Sequence, residues 1–118
     1  MREGVGSGRS SKAASKQGPL CQAIAARHCV SANHGNLLLL VAPHAVFRGA
    51  DGWQLVGAVM EENGAAIEPA RWAILTVAEL SYIMPVRRPF AAHPQYDAHD
   101  SRFAGDGCRL GEGNKPNR

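Results

Sequence analysis

Long apolar runs, aromatic residues and paired cysteines are all scarce in this chain. The longest uninterrupted apolar stretch, residues 37–42 (LLLLVA), is six residues. A membrane-spanning helix needs about 20, so no membrane partner is expected. Aromatics are 6% of the residues, which leaves core packing to small aliphatic side chains. The three cysteines, Cys21, Cys29 and Cys108, include no C-x-x-C pair. An odd number with no apolar export segment argues against a disulfide framework and for a cytoplasmic setting. Cys21 and Cys29 are expected as small buried apolar residues, and Cys108 as an exposed free thiol. No nucleophile elbow, phosphate-cradling glycine loop or Ser-His-Asp order is present, so neither an enzyme nor a cofactor is expected. What is plentiful is Gly and Pro, 13 and 7 of 118 residues. That exceeds the globular average but stays below low-complexity disorder.

The charge is unevenly placed. The net value is +3, yet residues 1–18 alone hold Arg2, Arg9, Lys12 and Lys16 against Glu3. The middle, 19–104, is slightly acidic. Residues 1–18 are mostly Gly, Ser, Ala and basic side chains without an apolar period, and predict a disordered basic tail. Residues 105–118 (GDGCRLGEGNKPNR) predict a second disordered tail. A basic tail adds weak, salt-sensitive attraction to nucleic acid; it says nothing of the domain between.

That domain, 19–104, reads as mainly β with a short N-terminal helix. Pro19 suits a first helical turn, and Leu20, Ala23 and Ile24 share a face, which predicts a helix over 19–30. Residues 31–36 (SANHGN) predict a turn. The apolar run from Leu37 predicts a strand buried on both faces, continuing past Pro43 through Ala45-Val46-Phe47. Gly49-Ala50-Asp51-Gly52 predicts a hairpin turn. Residues 53–60 alternate as a strand, with Gly57 marking a bulge or bend. Residues 61–70 read as a polar connection and 71–77 as another strand. Residues 78–83 are ambiguous between helical turn and strand, and Pro85, Pro89 and Pro94 break the rest into a surface wrap. Four or five short bent strands of this kind close into a small barrel.

These residues resemble a known family. Ala23-Ile24, a turn, a strand ending in Pro43-His44, then Gly52-Trp53-Gln54-Leu55, Arg71-Trp72-Ala73-Ile74-Leu75 and a closing Pro89-Phe90 look like the WYL domain, in its short stand-alone bacterial form. The family's Trp-Tyr-Leu tripeptide stands here as Trp53-Gln54-Leu55. The resemblance covers roughly residues 20–103. It implies a small Sm-like barrel and a ligand-sensing or accessory role in transcriptional regulation. It implies a nucleotide or nucleic-acid ligand, and a helix-turn-helix regulator as partner. The chain departs from the family where a Tyr and two Arg are usual: Ala32, Leu39 and Ala78 fall near those places. These departures favour the alternative of a non-sensing interaction module, acting as a homodimer or in a hetero-complex.

The candidate ligand-binding residues are His44, Arg48, Trp53, Gln54 and Arg71. His44 sits at a strand end, where an imidazole could face a ligand or simply cap the strand. Arg48 and Arg71 flank the tryptophan strands and could hold phosphate, or could be solvated surface charges. Trp53 and Trp72 could stack a base; filling a small core is the plainer role. His93, Asp97, His99 and Asp100 lie within eight residues and could serve a metal-dependent enzyme, but their spacing matches no structural zinc pattern. No metal site is expected there, nor at His28, Cys29 and His34.

Overall fold

The structure is a computed structural model that describes residues 12–111; the outer parts of both expected tails, 1–11 and 112–118, lie outside the described residues. Helix α1 (Lys12–Ala26) is followed by strands β1 (His28–His34), β2 (Leu37–Gly49), β3 (Gly52–Glu62), β4 (Ala65–Thr76), β5 (Leu80–Pro89) and β6 (Gly107–Arg109). Short 3-10 turns lie at Val77–Glu79 and Ser101–Phe103. The sheet is antiparallel, in the order β4-β3-β2-β1-β5, with β6 added beside the second half of β2. The outer strands β4 and β5 do not pair with each other, so the expected closure into a barrel is not reached. Pro69 in β4, and Pro85 and Pro89 in β5, lack the N–H that a further strand would need, which blunts both edges.

Helix α1 starts upstream of the expected 19–30 span and ends before it. Lys12, Ala13, Ala14, Lys16 and Gln17 are good helix formers, so Pro19 falls inside the helix rather than at its start. The inner part of the expected basic tail is therefore helical. Arg27 stops the helix by taking a left-handed backbone (φ 58), its N–H donating to Ile24 O at 3.1 Å. His28, Cys29 and Val30, expected at the helix end, open β1 instead. The expected turn over 31–36 shrinks to Gly35-Asn36, with Gly35 at φ 62.

The expected polar connection over 61–70 is a tight Asn63-Gly64 turn, both residues at positive φ as a two-residue hairpin requires. The Asn63 side chain accepts the Leu38 N–H at 2.9 Å and locks that end of the sheet. The Glu68-Pro69 peptide of β4 is cis. Residues 78–83, ambiguous between helical turn and strand, divide: Val77–Glu79 is a 3-10 turn, and Leu80–Pro89, whose later part was expected as a surface wrap, forms edge strand β5 against β1.

The centre of the sheet, β1 to β3, is buried on both faces. On one, Leu20, Ala23 and Ile24 of α1 pack on Val30, Leu39, Val41, Val46, Leu55, Val59 and Leu80. On the other, Cys29, Ala42, Ala58, Ala45, Phe47 and Val56 lie under Phe90, Trp72, Tyr96 and Phe103. The second covering layer is an irregular strap, residues 90–103. The alternation expected of β3 is present: Leu55 and Val59 go to the helix side, Val56 and Ala58 to the strap side.

The expected C-terminal tail and the expected free cysteines are both corrected. Gly107, Cys108 and Arg109 pair with Phe47, Val46 and Ala45, and Leu110 is buried. Cys108 is bonded to Cys21 of α1 across a sequence separation of 87, with Cα atoms 5.8 Å apart. Each was read alone in the sequence; the fold brings the two ends together. Cys29 is the free buried cysteine, as expected.

Candidate functional site

The site grows from a β-bulge. Pro43 pairs with Gly57 and Ala45 with Val56, so His44 is the extra residue of β2 with no partner on β3. A bulge bends its strand and re-aims the side chain. Gly57 permits it: a Cβ there would come within 2.6 Å of Ala42 O. A second bulge makes Met60 the extra residue of β3, between the Leu40–Glu61 and Val41–Val59 pairs.

His44 is fully buried, rather than facing a ligand at a strand end. Its Nδ1–H donates to Ala42 O at 2.8 Å, and its Nε2 accepts the His93 N–H at 2.9 Å. Both ring nitrogens are thereby committed and the neutral tautomer is fixed. The ring meets Trp72 edge-on at 4.9 Å, Phe90 at 5.0 Å and Tyr96 at 5.2 Å. Burial pushes its pKa from 6.5 down to about 4, against the raising effect of the Ala42 hydrogen bond; His93 and Arg27 push it lower still. His44 thus ties the strap to the sheet.

Beside this anchor lies a groove of about 390 Å³. Its floor is Ala42, Ala58 and Ala70, one small residue from each of three adjacent strands, with Met60 at one side. Its wall is the chain from Arg88 to Pro94, including Phe90 and His93. His93 stacks on Trp72 with ring centroids 4.8 Å apart. Its Nδ1 accepts the Gln95 N–H at 3.1 Å, so the neutral ring carries its proton on Nε2. Arg88 donates from Nη1 to Glu61 Oε2 at 3.1 Å and is half-exposed. Below, the Cys29 Sγ rests 3.7 Å from Met60 Sδ. Burial pushes that thiol's pKa up, so it stays protonated and unreactive. A shallow apolar cleft with a guanidinium and an imidazole N–H at its wall suits a flat ligand bearing negative charge.

The five residues nominated from the sequence fall in three places. Arg48, Trp53 and Gln54 sit together at the β2–β3 hairpin end, with the Arg48 guanidinium 5.4 Å from the Trp53 ring. Gln54 accepts from Thr76 Oγ1 at 3.4 Å. Arg71 pairs with Glu62 at 3.1 Å and lies opposite Val59, about 20 Å along β3 from the hairpin end. His44 is inside. The structure does not gather them into one pocket.

The acidic and imidazole cluster of the strap is spent on loop geometry. Asp97 accepts the His99 N–H, and Asp100 grips Arg102 at 2.8 Å. That hydrogen bonding holds the Asp100 carboxyl below its ordinary pKa. No group of three or more metal-ligating side chains occurs among the described residues. His34 faces Glu79 at 3.2 Å, away from Cys29.

The groove's own residues, Arg88, Phe90 and Met60, were not nominated as ligand contacts. Their signal was there in part, because Pro89-Phe90 closes the family-like pattern. No family model, curated protein or solved structure matches this chain.

Proposed function

We propose that this chain is a WYL-like ligand-sensing or accessory module of bacterial transcriptional regulation, and that a nucleotide or short single strand of nucleic acid sits in the Ala-floored groove. The helix-led open sheet is read as an Sm-like arrangement. The single observation that carries the proposal is the groove itself. A small-residue floor in a groove of about 390 Å³ is walled by Arg88 and His93, where a phosphate would lie. Arg88 and His93 would then supply the positive and donor groups that the family keeps elsewhere.

The test is thermal stability of the purified chain across mononucleotides, dinucleotides and dT oligonucleotides. A ligand that binds only the folded state stabilises it by about 2.7 kcal/mol at a concentration of 100 Kd, and Tm rises accordingly. Arg88→Ala should abolish the gain. A flat panel sinks the proposal.

A second reading, a protein–protein interaction module, is favoured by one observation. On edge strand β5, Tyr82 and Met84 are 79% and 58% exposed. Tyr82 also takes a left-handed backbone (φ 53) at a bulge opposite β1. A homodimer or a helix-turn-helix partner covering that edge would shield both. Light scattering that reports a monomer with and without Tyr82→Ser would count against the homodimer.

A further inference from the structure

We propose that the Cys21–Cys108 disulfide is a reversible redox switch that sets how firmly the groove wall is held. The proposal rests on the groove being the ligand site, and names its regulation.

The coupling runs through consecutive contacts. Cys108 lies in β6, and Gly107 before it runs so close to β2 that a Cβ would strike Val46 O. Two residues after Cys108, the Leu110 N–H donates to His44 O at 2.7 Å. The Tyr96 hydroxyl donates to Leu110 O at 2.6 Å. His44 in turn accepts the His93 N–H at 2.9 Å, and Tyr96 packs on the His44 ring. The residue that follows the Cys108 strand, Leu110, therefore holds both His44 and Tyr96, which anchor the groove wall.

Two observations favour a switch over a plain staple. The disulfide joins β6 to the helix, but β6 keeps its ladder to β2 and the Leu110 contacts without it. Reduction should loosen the segment and leave the fold standing. Cys21 and Cys108 are both only half-buried, within reach of a reductant, whereas Cys29 is buried with a raised pKa. Opening the bond thus yields one defined thiol pair with no third cysteine to exchange.

The step is thiol–disulfide exchange with a protein dithiol. One thiolate of the donor attacks a sulfur of the Cys21–Cys108 bond, releasing the other as thiolate and forming a mixed disulfide. The donor's second thiol then displaces this chain's sulfur. The donor ends oxidised, and Cys21 and Cys108 each end as thiols after taking up two protons in all.

The experiment compares hydrogen exchange in the oxidised protein and after reduction by a phosphine, with no ligand present, and then repeats AMP binding in both states. Exchange over residues 90–99 should rise at least tenfold on reduction, together with 107–111, while far-UV circular dichroism stays unchanged. Tyr96→Phe should raise exchange over 90–99 in the oxidised protein and shrink the further rise on reduction. Faster exchange at 107–111 with none at 90–99 overturns the coupling. Loss of the far-UV signal on reduction shows a staple and overturns the switch. If 90–99 responds but AMP binds neither state, the switch stands and the nucleotide reading fails.

Discussion

Lowering the pH from 7 to 5 should cost this protein about 2 kcal/mol through His44 alone. The ring is neutral in the folded state because burial drives its pKa from 6.5 to about 4. The unfolded chain therefore binds more protons between those two values. Stability is present in full above the unfolded pKa and is lost as pH falls towards the folded one. The gap amounts to about 3 kcal/mol once both forms are protonated, of which about 2 has gone by pH 5. Structurally, protonating Nε2 sets an N–H against the His93 N–H it now accepts, inside a ring of aromatic side chains. Urea unfolding at pH 7, 6 and 5 measures it, with the midpoint falling by about 1–2 M. His44→Gln removes the titrating group and should flatten the dependence over this window. A midpoint that stays constant from pH 7 to 5 in the native sequence refutes the reasoning, as does a slope that survives in His44→Gln. If that variant does not fold, an NMR titration of the His44 ring decides: a ring still neutral at pH 5 agrees, and one titrating near 6.5 does not.

The double change Cys21→Ser, Cys108→Ser opens a loop of 87 residues, for which chain entropy gives about 4–5 kcal/mol. Calorimetry should record a Tm lower by about 20 °C, and an unchanged Tm would show that the bond does not form. Gly57→Ala places a methyl against Ala42 O and should destabilise by about 1–3 kcal/mol in chemical denaturation. Leu110→Ala empties a buried core position and should cost about 2–5 kcal/mol; a loss under 1 kcal/mol would show that residues 107–110 are not docked.

Much of the strand framework was legible because local patterns agreed with burial. The run from Leu37, the Gly49–Gly52 turn, the alternation of 53–60 and the strand over 71–77 all came from period and turn chemistry. The helix face Leu20, Ala23 and Ile24 was read correctly, while its limits were not. A proline normally marks a helix start, and an arginine rarely takes the left-handed backbone that ends this one. The two ends were misread for a different reason. Residues 105–111 are Gly-rich and local signals there spell a tail; only a partner 87 residues away turns Cys108 into half of a bond. The groove was missed because its floor is three alanines that look like ordinary core, and only the register of three strands brings them side by side. His44 was noticed for its chemistry. Nothing local said that a bulge would turn it inward.

The docking of β6 has a consequence for synthesis. The outer edge of β2 beyond Val41 finds its partner only in residues 107–109, nearly the last of the described chain. A nascent chain emerging from the ribosome can assemble β1 to β5 while Ala45, Val46 and Phe47 still present bare backbone and apolar side chains. Through that interval the half-made domain is open to pairing with a neighbouring chain. A stalled or truncated product ending near residue 104 should therefore be the aggregation-prone species.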